Sequence, residues 1–163
     1  MSSGMAKFIY LSREAYENVK KELEELKTIK RPELSKKIAE ARDFGDLKEN
    51  AEYHAAKEAL GLLETKIAKL EETINRAKIV KRDDITDDHV SIYTTVRLMD
   101  LTRNEEKEYT LVSNEESNFQ ENKISTISPV GNALLGKKVG EEVDINVPAG
   151  VLKFRILEIK MAI

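Results

Sequence analysis

The sequence predicts an α+β protein in two consecutive parts, a long antiparallel helical hairpin and then a small β domain with one short helix. Three observations predict it. Apolar residues recur every three or four positions from Tyr16 to Ala77, the period of a helix face. After Lys81-Arg82-Asp83-Asp84 they recur at alternate positions, the period of a strand. Within the helical part, facing apolar residues have numbers with a nearly constant sum, as an antiparallel pair requires.

The first element opens after Ser12, a plausible N-cap, and runs through Glu, Lys, Leu and Ala with no glycine before Gly45. Its seam is Tyr16, Val19, Leu23 and Leu26, facing Ala77, Ile74, Leu70 and Ile67, with each pair summing to 93. Beyond a polar Lys30 opposite Leu63, the residues Leu34, Ile38 and Ala41 face Leu60, Ala56 and Tyr53, now summing to 94. The pattern is heptad-like and places the tip at Asp46 and Leu47. The one-residue slip coincides with Arg31-Pro32, where a proline is expected to bend the helix without ending it. At about 1.5 Å per residue, such an arm is about 45 to 50 Å long. Pairs such as Glu17 with Lys21, Glu33 with Lys37 and Glu72 with Arg76 have helix-stabilising spacing and read as a solvated face.

The domains divide as residues 5–80 and 81–163. In the second, Val90 to Asp100 and Tyr109 to Val112 form a hairpin around the polar turn Thr102 to Glu106. Ile124 to Ile127 reads as a strand, and Ser128-Pro129 opens a short helix ending near Gly136, with proline at its favoured first position. Val143 to Val147 and Val151 to Ile159 flank the turn signal Pro148-Ala149-Gly150.

Composition narrows the function. The chain has no cysteine, which excludes a disulfide framework and thiol metal sites. No apolar run approaches the roughly 20 residues that span a bilayer. The opening Met1 to Lys7 lacks a signal-peptide pattern, so a cytoplasmic protein is expected, and with a second methionine at Met5 the residues Met1 to Gly4 are set apart from the expected fold, their origin left open. Ser12 to Val80 carries 15 basic and 15 acidic residues, and Lys81 to Ile163 carries 11 and 15. Neither half coats nucleic acid by bulk charge. The second half shows no catalytic set: His89 stands beside Asp87 and Asp88 as a loop histidine, and its glycines match no phosphate-binding spacing.

The conspicuous stretch is Asp43-Phe44-Gly45-Asp46-Leu47-Lys48-Glu49-Asn50. Asp46 and Glu49 have capping-box spacing, so Asp46 is the expected N-cap of the second helix. Capping does not explain why Asp43, Asp46, Glu49 and Glu52 crowd one end of an arm, where like charges repel. A cation or cationic partner is implied. Two carboxylates can share a magnesium ion but hold it poorly alone, since Mg²⁺ needs further oxygens from substrate or from a second protein. Completed by another protein's carboxylates, the pair could hold the second ion of a two-metal site for phosphodiester hydrolysis.

The run from Ala41 through Asp43-Phe44-Gly45-Asp46-Leu47-Lys48-Glu49-Asn50-Ala51-Glu52-Tyr53 to Glu58 resembles the tip signature of the bacterial Gre transcript-cleavage factors, close to their GreA branch. Ile124 to Lys137, with Ser128-Pro129-Val130-Gly131-Asn132, is similar to that family's C-terminal signature. The resemblance covers the chain from Met5 onward. It implies a coiled-coil hairpin inserted into the secondary channel of RNA polymerase, and an FKBP-like antiparallel β domain gripping the channel rim. It implies that Asp46 and Glu49 help polymerase aspartates hold a shared Mg²⁺, no cofactor being bound stably by the chain alone, while the polymerase cuts a backtracked transcript and restarts elongation. Arg42 and Lys57 match basic positions that contact the RNA 3′ segment, and Ser128 and Pro129 match a polymerase-contacting loop. Taken alone, Arg42 and Lys57 are solvated helix charges, and Ser128-Pro129 is a helix-opening turn. Phe44 departs from the polar or histidine residue frequent among relatives, and its role is open: packing on nucleic acid or polymerase, or against Leu47.

Two other readings stand beside the accessory factor. One is an inhibitory paralogue occupying the same channel, which the intact Asp46 and Glu49 oppose. The other is a prolyl isomerase or chaperone, for which Tyr93, Tyr109, Phe119 and Phe154 are a thin aromatic supply.

Overall fold

The computed structural model describes residues 7–45 and 50–163. The chain divides into two compact units, one of Met1–Ile9 with Glu14–Lys78 and one of Tyr10–Arg13 with Ile79–Ile163.

The first unit is the helical hairpin. Helix α1 spans Arg13–Glu25, a π-helical turn follows over Leu26–Lys30, and α2 spans Arg31–Arg42. Helix α3, Ala51–Arg76, returns antiparallel. Short strands β1, Ile9–Leu11, and β2, Ala77–Ile79, pair where the hairpin begins and ends. Assigning Leu26 and Leu70 to d positions puts Glu22 and Lys66 at g, and Lys27 and Glu71 at e. In an antiparallel pair g faces g and e faces e. Glu22 is 3.0 Å from Lys66, and Lys27 is 3.1 Å from Glu71. Of the expected pairs within a helix, Glu72 and Arg76 meet at 2.9 Å, while Glu33 lies 4.0 Å from Lys30.

The register slip has a different cause from the one the sequence suggests. The irregularity lies in the π turn before Pro32, where the Arg31 amide donates to the Leu26 carbonyl, five residues back. A π turn adds one residue to an α-helix without breaking it, which is the change from 93 to 94. It also precedes proline, which lacks an amide and crowds the preceding turn. One consequence corrects the seam. Arg31 is half-buried and Lys30 exposed, so Arg31 takes the position near Leu63. Arg31 then grips Glu64 in a two-pronged ion pair at 2.7 and 2.8 Å. That hydrogen bonding lowers the Glu64 carboxyl below its ordinary range and raises Arg31.

The second unit is a five-stranded sheet in the order β5-β4-β3-β7-β6. Its strands are β3 (Thr94–Asp100), β4 (Glu105–Val112), β5 (Lys123–Ser125), β6 (Glu142–Val147) and β7 (Gly150–Met161). Four are antiparallel neighbours, as expected. The edge strand β5 runs parallel to β4, because 3₁₀ turns at Asn114–Glu116 and Phe119–Glu121 carry the chain back before it pairs. Helix α4, Pro129–Leu134, packs its buried Leu134 into a core of Val96, Leu98, Leu111, Val143, Ile145, Phe154 and Ile156.

A smaller cluster gathers Val80, Tyr93 and Val112. Tyr93 has φ 65°, which ends the extended run suggested from Val90 and starts β3 at Thr94. Its hydroxyl donates to the Glu116 carboxylate, which also accepts from Ser113 at 2.8 Å and from Ser12 at 3.0 Å. Burial, reinforced by the bond to Glu116, pushes the Tyr93 phenol well above the ordinary tyrosine range.

Candidate functional site

Asp46 and Glu49 lie outside the described residues, as do Leu47 and Lys48. The residues on either side, up to Gly45 and from Asn50, are described. The Asp43 amide closes the last turn of α2 on the Glu40 carbonyl at 3.2 Å, and Gly45 takes φ 121°, a conformation open to glycine alone. The N-cap of α3 is Asn50, not the expected Asp46. Asn50 Oδ1 accepts from the Tyr53 amide at 3.0 Å, while its Nδ2 donates to the Ala41 carbonyl at 2.5 Å. One side chain therefore starts the returning helix and ties it to the outgoing one. An aspartate could do only the first, because a carboxylate has no hydrogen to donate. The signal was present: a preferred cap residue directly before an alanine and the seam residue Tyr53.

Arg42 and Lys57 come from different helices and meet over one ring. The Arg42 guanidinium lies 6.0 Å and the Lys57 ammonium 5.4 Å from the centroid of Tyr53, which is buried in the seam. Cation–π attraction to the ring contributes about 0.5–1 kcal/mol for each. Sequence reasoning assigned Tyr53 only to the seam; its spacing of four from Lys57 was the available sign of a second role. Phe44 is 77% exposed and lines a groove with Leu34, Ala41, Ala55, Ala56 and Ala59 on the hairpin. Among the described residues no group of three His, Cys, Asp or Glu side chains is placed to hold a metal ion.

Ser128 and Pro129 sit at the opening of α4, in the other unit. Ser128 Oγ accepts from the Gly131 amide at 3.1 Å and donates to the Ser125 carbonyl at 2.6 Å, and the exposed Pro129 occupies the first turn. Gly131 is required there: a Cβ would stand 2.1 Å from the Ser125 carbonyl oxygen. That tight turn fixes the presentation of Ser128 and Pro129.

Residues 9–79 match the family described as "Transcription elongation factor, N-terminal", and residues 85–161 match "Transcription elongation factor, GreA/GreB, C-term". A protein named "Transcription elongation factor GreA" from Caldanaerobacter subterraneus is 50% identical over 96% of this chain and 99% of its own length. The chain belongs to the GreA family of transcription elongation factors. A GreA from Chloroherpeton thalassium is 49% identical over 93% of this chain and 96% of its own. Among solved structures, the "GreA factor homolog 1 (Gfh1) protein of Thermus thermophilus" is 28% identical over 94% of this chain and 99% of that one, with TM-score 0.45. The family assignment spans both units and makes this GreA-family chain an elongation factor with a transcription-related partner. No helix among the described residues is long and apolar enough to cross a membrane.

Proposed function

We propose that this elongation factor is an accessory protein of RNA polymerase and not itself a nuclease. It delivers Asp46 and Glu49 to the polymerase active site, where cleavage of a backtracked transcript releases the 3′ fragment and restarts elongation. The observation that carries this reading is the hairpin itself. Helices α2 and α3 are joined by the chain 43–50, which carries Asp46 and Glu49, and Asn50 clasps the ends of the two helices, which supports delivery of the acidic pair by the hairpin.

The donor chemistry supports magnesium as a shared ion. Asp46 and Glu49 offer the hard oxygens that Mg²⁺ takes, and two carboxylates leave most of its octahedral positions to be filled from elsewhere. When held between the tip and the polymerase carboxylates, the ion supplies a water of lowered pKa for phosphodiester hydrolysis. The chain's own residues bind and orient. Arg42 and Lys57 contact the extruded RNA 3′ segment, Asp46 and Glu49 hold the metal side, and Ser128 and Pro129 contact the polymerase. Action inside polymerase places the protein in the cytoplasm.

The test uses stalled, backtracked elongation complexes with Mg²⁺. The purified chain alone cuts no RNA, and its addition to the complexes releases short 3′ fragments. Asp46→Ala or Glu49→Ala abolishes release while leaving polymerase binding largely intact. Wild-type release by both variants overturns the assigned mechanism, and slowed run-on synthesis without cleavage marks an inhibitor instead.

A further inference from the structure

On the side of the hairpin seam opposite Arg42 and Lys57 lies an apolar groove of about 410 Å³, with Leu34 and Phe44 along α2 and Ala55 and Ala59 along α3. A pair of helices needs apolar residues only along the seam between them. Here α3 carries a second stripe, Ala55, Ala59 and Leu62, at helical spacing beside the seam residue Ala56, and the chain just past α2 adds Phe44. Ala55 and Leu62 are exposed, and Phe44 is 77% exposed. A seam with a flanking stripe is the wide apolar face of a helix packed in a bundle, wider than a two-helix arm uses.

The face is complementary to itself. If a second copy is turned by a two-fold axis across the arm, α2 runs antiparallel to α2 and α3 to α3, and residues that meet have numbers with a constant sum. On α2, Leu34 meets Phe44 with a sum of 78, and Lys37 meets Glu40 with a sum of 77. Each match occurs twice, an aromatic ring on an aliphatic side chain and an ammonium beside a carboxylate. Lys37 has no ion-pair partner among the described residues, and Glu40 has Lys36 at 3.9 Å. On α3, sums of 110 and 111 put Ala55 and Ala56 at the axis, where the backbones approach most closely, and lay Ala59 over Glu52, whose carboxylate is left at the rim. The axis thus crosses α2 near residue 39 and α3 near residue 55. Those numbers sum to 94, the register of the hairpin itself, so a single axis satisfies both helices.

We propose that this face is a self-association surface occupied by a second copy of the chain, with Phe44 of each copy seated against Leu34 of the other. The paired arms form an antiparallel four-helix body. A contact about three helical turns long is small for a protein interface, so the pair forms at high protein concentration and separates on dilution. It is a reserve form, because an arm covered by its partner is not free to enter polymerase. That consequence rests on the accessory reading, and the pairing itself does not.

The chain has no cysteine, so one introduced thiol reports one position. Under mild oxidation, Ala55→Cys, beside the axis, is expected to form a covalent dimer at least about tenfold faster than Thr65→Cys, which is exposed on the side of α3 away from the seam. Sedimentation velocity of the full-length chain from about 10 µM to about 1 mM is expected to show a reversible monomer–dimer equilibrium. Phe44→Asp raises its dissociation constant at least about tenfold, as for loss of an aromatic anchor. Lys37→Glu weakens pairing, and adding Glu40→Lys restores it. A chain that stays monomeric throughout, unchanged pairing in Phe44→Asp, or equal oxidation rates for the two thiols overturns the proposal. Weaker polymerase binding by Phe44→Asp with unchanged self-association overturns it too, and gives the face to the polymerase. In the transcript-cleavage assay the oxidised Ala55→Cys dimer is expected to be inactive and to recover on reduction; full activity while oxidised refutes the reserve form. Cleavage by a chain that never pairs sinks the self-association and leaves the accessory reading standing, and pairing by a chain that never stimulates cleavage does the opposite.

Discussion

Replacing Asn50 separates two interactions that one side chain makes at the tip. As the N-cap of α3, its oxygen accepts the Tyr53 amide, and such caps contribute about 1 kcal/mol. Its amide donates to the Ala41 carbonyl across the hairpin, a partly buried bond worth about 1 kcal/mol. Asn50→Ala removes both and is expected to destabilise the hairpin by about 2 kcal/mol. Asn50→Asp keeps the cap, adds a favourable negative charge at a helix start and loses the donated bond, leaving a carboxylate against a carbonyl oxygen. It is expected to cost about 1 kcal/mol. Urea unfolding followed by helical ellipticity measures both, with an unchanged m-value showing that the unfolded state is the same. Wild-type stability in Asn50→Asp would refute the cross-hairpin clasp, and equal losses in the two variants would refute the cap. If the clasp holds the acidic segment in place, Asn50→Asp also slows transcript cleavage more than its modest loss of stability explains.

Gly131→Ala drives a methyl into the Ser125 carbonyl oxygen, so the turn before α4 must open. A loss of about 1–3 kcal/mol by denaturation, with weaker polymerase binding in a pull-down, is expected. Tyr93 titrates above its unfolded value, so its proton stabilises the fold fully below the ordinary tyrosine pKa of about 10 and less as pH rises beyond it. Unfolding free energy is therefore expected to fall above pH ~10, with a shallower fall in Tyr93→Phe, measured by urea titrations across that range.

The two-part architecture was legible because period alone carried it. The seam from Tyr16 to Ala77 repeats often enough to fix direction and register, and β3 and β6 alternate cleanly, while β7 changes phase between Ile156 and Glu158, where its pairing with β3 shifts register. Where two local signals competed, the sequence was ambiguous. Asp46 with Glu49 spells a capping box, and Asn50 has only itself, yet Asn50 can satisfy both helices and an aspartate cannot. Pro32 announced a disturbance, and the relief was taken upstream at Leu26–Lys30, since a proline alters the turn preceding it. The site was legible as a list of charges and illegible as an arrangement. That Arg42 and Lys57 share the ring of Tyr53, and that Gly61 lies on the same face, depend on contacts between helices, which no period within one helix encodes. The Glu116 hub joins Ser12, Tyr93 and Ser113, with Ser12 lying 104 residues away in sequence, and left no local trace.

The π turn at Leu26–Lys30 sets an angle. Each residue advances an α-helix by about 100°, so one extra residue wound as regular helix would turn everything beyond it by that amount about the axis. The wide turn takes up that residue within one turn, and Ile38 and Arg42 stay on the side of Tyr53 and Lys57. Deleting one residue from Leu26–Lys30 would restore unbroken three-and-four spacing from Tyr16 to Ala41 and leave the face where it is. Substitutions that force the stretch into regular α-helix at its present length would not.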